Sequence, residues 1–103
     1  MITGGLVDGP LAFDNAVSSA AAKTKAIVSD VAGDADVLIV PDLDAGNMVA
    51  KQLIYLAGAD AAGLVLGARI PIVLTSRADG VMSRLASAAM AQLFVHHRKG
   101  TAP

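Results

Sequence analysis

Cysteine is absent from this chain, which excludes disulfides, thiolate nucleophiles and Cys-ligated metals. That fits a reducing compartment, and a cytoplasmic location is expected. Tryptophan is absent as well, and the aromatics are limited to Phe13, Tyr55 and Phe94, too few for base-stacking recognition of a nucleic acid. Charge is scarce: charged residues make up 17% of the chain, the formal net charge is −1, and neither sign forms a long run. No electrostatic footprint for nucleic acid or for an anionic membrane follows from that. Long apolar runs are missing too. Val37 to Val40 is short, and Ile70 to Leu74 is broken by Pro71, whereas a membrane span needs ~20 apolar residues. No basic stretch precedes an apolar core, so a signal peptide is not expected.

What the chain does contain is aliphatic bulk. Hydrophobic residues reach 54% of 103 residues and mean hydropathy is +0.59, carried by Ala, Val, Leu and Ile spread along the sequence. The length suits one domain, residues 1–103, and not two. A small monomer needs polar groups to cover its surface, and this chain has few. An apolar face covered by a second subunit or by a further domain is therefore expected.

The pattern alternates strands with helices. Gly4-Gly5 and Asp8-Gly9-Pro10 make the start turn-rich; Asp14-Asn15 offers an N-cap, and Ala16 to about Ile27 reads as a helix with Lys23 and Lys25 near its end. Ser29 to Asp36 reads as a loop. Val37 to Val40 has the branched composition of a buried strand. Asp44 or a neighbour caps a helix of roughly Ala45 to Ala57, with Val49, Leu53 and Leu56 on one face and Gly58 at C′. Strand character is possible at Leu64 to Leu66, and Ile70 to Leu74 is a second convincing strand, beginning at Pro71 or lying on an edge. Asp79 can cap a last helix, Val81 to His97, with Met82, Leu85, Ala86, Ala89 and Leu93 as its apolar stripe; Thr101 to Pro103 is a tail. The expected class is α/β, with an open, mainly parallel sheet and flanking helices.

Two strand-to-helix junctions carry the polar chemistry. If the strands were parallel neighbours, both junctions would line one crevice at the carboxyl edge of the sheet, where such folds hold ligands. At Thr75-Ser-Arg-Ala-Asp79, a helix start, the Ser76 hydroxyl and the Arg77 guanidinium together suit phosphate. The competing reading pairs Arg77 with a nearby carboxylate and leaves Ser76 as a strand end. At Asp42-Leu-Asp-Ala-Gly-Asn47, Asp42 and Asp44 could hold a divalent cation or act as acid and base. Equally, they could cap the helix, with Gly46 allowing close backbone approach; the pair is not a complete metal set. His96 and His97 are adjacent on a helix and so point apart, and with Arg98 and Lys99 they complement the helix C-terminus.

Several stretches, in order, resemble the phosphate acetyltransferase and phosphate butyryltransferase family: Asp8-Gly-Pro-Leu-Ala-Phe-Asp-Asn15, Pro41-Asp-Leu-Asp-Ala-Gly-Asn47, Leu56-Ala-Gly-Ala-Asp60 and Gly67-Ala-Arg-Ile-Pro-Ile-Val-Leu-Thr-Ser-Arg77. The likeness runs from about Ile2 to Phe94. It implies the reversible reaction of acyl-CoA and phosphate to acyl phosphate and CoA, with CoA as substrate and no resident cofactor or metal. It also implies a fold similar to the isocitrate and isopropylmalate dehydrogenases, a cleft between two α/β domains, and dimerisation. Only the family's C-terminal portion is matched, so the N-terminal domain is expected to be absent. By the same resemblance Arg77 binds phosphate or acyl phosphate, and Ser76 stabilises the oxyanion. Asp42, Asp44, Gly46 and Asn47 line the cleft. The acetyl branch carries its thiol-deprotonating Asp seven residues after the Ser, where this chain has Ser83. Asp79 could substitute, or the base could differ, as in the butyryl-like branch that this chain is expected to follow. Two other readings stand beside this one: a non-catalytic binding or dimerisation module of the same ancestry, and a metal-dependent dehydrogenase relative holding Mg²⁺ on Asp42 and Asp44. No G-x-G-x-x-G fingerprint supports the last.

Overall fold

A computed structural model of the chain describes residues 3–100; the expected tail, Thr101 to Pro103, lies outside the described residues. The fold is mixed α/β and divides into two compact units, one ending at Leu43 and one starting at Asp44.

In the first unit the expected single helix is two short ones, α1 (Phe13–Val17) and α2 (Ser19–Thr24). Ser18 is the cause of the break. Its backbone is extended (φ −127°, ψ 110°), and its hydroxyl accepts the Ala21 N–H at 3.2 Å, so it caps α2 instead of continuing α1. Asp14 is not a cap either: it lies in the first turn of α1 and pairs with Lys25 Nζ at 2.8 Å. Asn15, Ala16 and Ala22 are the buried side chains here. Val37 to Val40, expected as a buried strand, joins no ladder and is exposed throughout. Branched residues favour an extended strand, but backbone pairing needs a neighbour, and none of the described residues supplies one.

The second unit contains α3 (Leu43–Leu56), β1 (Leu64–Val65), β2 (Ile72–Val73) and α4 (Val81–Gly100). Helix α3 starts earlier than expected, so Asp44 sits in its first turn and does not precede it; Gly46 and Asn47 are helical, within the expected span. Its end is as expected. Gly58 takes φ +68°, the left-handed conformation expected at C′, and beyond it the Ala59 N–H reaches back to the Leu53 carbonyl at 3.0 Å. The face of Val49, Leu53 and Leu56 is not covered by another element: α3 packs against neither strand nor α4, and Leu56 is 84% exposed.

Strands β1 and β2 pair antiparallel, Leu64 with Val73 and Val65 with Ile72, and the Leu74 N–H extends the ladder to the Gly63 carbonyl at 3.1 Å. Among the described residues this is the sheet; a mainly parallel arrangement is not seen. Helix α4 covers both strands, but not with the stripe expected from its large residues. Ser83, Ser87, Ala91 and Val95, at four-residue spacing, are the half-buried or buried line, while Met82, Leu85 and Leu93 are exposed. Small side chains let the helix approach the ladder closely, and a hydrophobicity pattern favours the wrong face when the packing residues are Ser and Ala.

Candidate active site

The Thr75–Asp79 junction is held at both ends. On the strand side the Leu74–Gly63 bond fixes the chain just before it leaves the ladder. On the helix side Asp79 turns back. Its Oδ2 accepts the Ser76 N–H at 2.6 Å, and its own N–H donates to the Ser76 carbonyl at 3.1 Å. Asp79 therefore closes the loop and does not cap α4; Gly80 occupies the cap position, and its carbonyl accepts the Arg84 N–H at 3.3 Å. The Arg84 guanidinium also donates, through Nε, to the Asp79 carbonyl at 3.3 Å.

This network disposes of the groups that matter. Ser76 Oγ accepts the Ala78 N–H at 3.3 Å and donates to nothing among the described residues, so its proton is available. Arg77 is exposed and makes no ion pair with a carboxylate among the described residues, so the pairing that would explain it away is not formed. A cation without a partner, beside a hydroxyl with a free proton, stands at the start of a 20-residue helix whose first N–H groups have no intrahelical acceptor.

Asp42 belongs to the first unit, and Asp44, Gly46 and Asn47 ride on α3, sharing no hydrogen bond with Ser76, Arg77 or Asp79. Asp44 is placed favourably for the dipole of α3. No cluster of three or more His, Asp or Glu side chains suited to a metal ion forms among the described residues. His96 and His97 are exposed in the last turns of α4. The larger surface groove, about 330 Å³, is lined there by Pro71, Gln92, His96 and Lys99. It lies toward the opposite end of α4 from Ser76, and volume alone gives no reason to move the chemistry there.

Comparison with known proteins places the chain as a whole. The family described as "Phosphate acetyl/butaryl transferase" matches residues 3–92. The chain belongs to this family. A phosphate acetyltransferase of Rhizobium meliloti is 64% identical over 98 residues, which is 95% of this chain and 31% of that protein. A probable phosphate butyryltransferase of Bacillus subtilis is 56% identical over 87% of this chain and 30% of its own length. A branched-chain phosphotransacylase of Enterococcus faecalis V583, solved as a crystal structure, superposes with a TM-score of 0.72 at 39% identity, over 82% of this chain and 32% of that one. The chain thus spans about a third of the length of these relatives. Acetyl- and butyryl-named proteins both match, so the likeness does not set the acyl length.

Two residues that hold the junction carry no motif and escape a reading of the sequence. Ser87 lies inside α4 and Gly63 in an apolar stretch; the only trace is the spacing of Ser83, Ser87 and Ala91 on one helical line.

Proposed function

We propose that the chain forms part of a phosphate acyltransferase, with the Ser76–Arg77 junction as its phosphate and acyl phosphate site. The observation that carries this is the exposed Arg77, without an ion-pair partner among the described residues, next to a Ser76 hydroxyl that donates to none of them, in a member of this family. In the forward direction a phosphate oxygen attacks the thioester carbonyl of acyl-CoA. The carbonyl oxygen gains charge, the C–S bond breaks, and the thiolate leaves and takes up a proton. Arg77 holds the phosphate by its two-pronged guanidinium. Ser76 Oγ–H donates to the developing oxyanion, where a fixed donor is most effective. Asp79 is the proposed proton acceptor for the CoA thiol in reverse. Its Oδ2 already holds the Ser76 N–H, so the same carboxylate also orders the loop.

Asp42, Asp44, Gly46 and Asn47 are proposed to line the wall of the full cleft. The complete enzyme is proposed to be cytoplasmic and homodimeric, with an open, mainly parallel sheet of the isocitrate and isopropylmalate dehydrogenase kind. The exposed Val37–Val40 segment supports a partner beyond the described residues. Ser83, at the acetyl branch's base position, favours a second reading, a binding or dimerisation module without turnover.

Phosphate binding by calorimetry tests the site. Arg77→Ala is expected to abolish measurable affinity while leaving the far-UV circular dichroism unchanged, because Arg77 is exposed. Unchanged affinity in the variant would place the anion elsewhere.

A further inference from the structure

The hydroxyl of Ser87 is the most enclosed polar group in the second unit. The residue is 0% exposed, its Oγ donates to the Ser83 carbonyl at 2.6 Å, and the same atom accepts the Gly63 N–H at 3.0 Å. The first bond is the ordinary recourse of a serine inside a helix, back to the carbonyl four residues earlier. The second is not local: it ties α4 to the residue that precedes β1. Gly63 in turn is locked to Leu74. Its carbonyl accepts the Leu74 N–H at 3.1 Å, and a Cβ at residue 63 would overlap the Leu74 carbonyl oxygen. Leu74 stands two residues before Ser76.

The bonds close a ring. From Ser76 the chain passes through Asp79 and Gly80 into α4. Ser87 on α4 then reaches across to Gly63, Gly63 holds Leu74, and Leu74 leads back to Ser76. One buried hydroxyl therefore links the strand end that delivers Ser76 to the helix that follows it. Alanine would satisfy the packing at residue 87, since Ala91, one turn on along the same line of α4, is itself a buried alanine. It would not satisfy the Gly63 N–H, and an amide left without its acceptor is relieved only by movement of the strand or entry of water.

We infer that Ser87 is a positioning residue for the proposed phosphate site, acting through Gly63 and Leu74 on the placement of Ser76 and Arg77. The inference rests on the reading of that junction as the site. Small displacements of binding groups are costly: a shift of about 1 Å can lower a rate by roughly a hundredfold.

The test is a titration of the ¹⁵N-labelled chain with inorganic phosphate, followed at the Ser76, Arg77 and Asp79 amides. Ser87→Ala is expected to move those three resonances before any phosphate is added, to raise the exchange rate of the Gly63 amide, and to weaken phosphate binding by about ten-fold. Ser87→Thr, which keeps Oγ, is expected to restore most of the affinity. Val95→Ala, on the same helical line, loses packing but not the hydroxyl, and is expected to bind phosphate as the parent chain does. Unchanged affinity in Ser87→Ala overturns the inference and leaves the site reading intact. An equal loss in Val95→Ala overturns it too, since stability alone would then explain the effect. No phosphate binding by the parent chain overturns the site reading and the inference with it. If Ser87→Ala does not fold, the parent chain still decides: a Gly63 amide exchanging at the rate of an open loop contradicts the bond on which the inference stands.

Discussion

At the scale of single residues, the chain separates groups that hold structure from groups left free to bind. Asp79 was legible as a polar residue at a helix start, but its direction was not: an aspartate four residues before a helix interior can point forward to cap or backward to close a loop, and only the packed loop decides. Arg77 was legible as a cation, and its lack of a partner was not, because pairing depends on which carboxylates the fold brings near. Asp14 is the opposite case, a motif residue with a structural partner. Its hydrogen bond to Lys25 holds the carboxyl below the ordinary carboxylate range, and Asp8 is lowered likewise by the Ser29 hydroxyl and the Gly9 N–H. The sign follows from linkage. A carboxylate whose value is lowered by folding contributes stability above its unfolded value, and that contribution is lost as pH falls through the lowered folded value. Both groups are exposed, so the effect is small and screened by salt. Carbon-13 detection of the Asp14 carboxyl is expected to show the lowered titration in the parent chain and a return toward the ordinary value in Lys25→Met. The same titration in both would break the assignment.

Secondary-structure elements were legible in proportion to how much of their stabilisation is local. Helix α3 was visible from its periodicity and from Gly58, because a left-handed C′ residue is a demand of the helix's own backbone. Helix α4 was visible for the same reason, yet its inward line was misread, since Ser83, Ser87 and Ala91 approach the strands by being small. The strands were visible by composition but not by pairing. Ile70 to Leu74 shrank to a two-residue ladder, and Val37 to Val40 formed none, because a strand's partner is a property of the whole chain. The large apolar residues that α4 leaves outward, Met82, Leu85 and Leu93, are each more than half exposed. A stripe of that kind is a surface to be covered. Sedimentation at micromolar concentration is expected to show assemblies above the monomer mass, and Leu85→Glu is expected to shift them toward monomer. A strict monomer in the parent chain would contradict the proposed dimer.

Among the described residues of the whole molecule, the buried apolar side chains are Ala16 and Ala22 in the first unit and Ala91 in the second, while long branched side chains stand in solvent in both units. A chain that is 54% hydrophobic and buries chiefly alanine has apolar surface to offer a larger body. The family relatives, three times as long, point to what such a body would be. On the proposed reading the chain supplies only part of the cleft, and orientation contributes several kcal/mol to a barrier of this kind. Activity should therefore be sought with the rest of the cleft present. The most direct measurement is CoA release from acetyl-CoA and phosphate by a hybrid in which this chain replaces the matching third of the Rhizobium meliloti phosphate acetyltransferase. Phosphate-dependent turnover is expected, and it should fall by about a hundredfold or more in Arg77→Ala. A folded hybrid that shows no turnover, or that turns over equally well without Arg77, would contradict it.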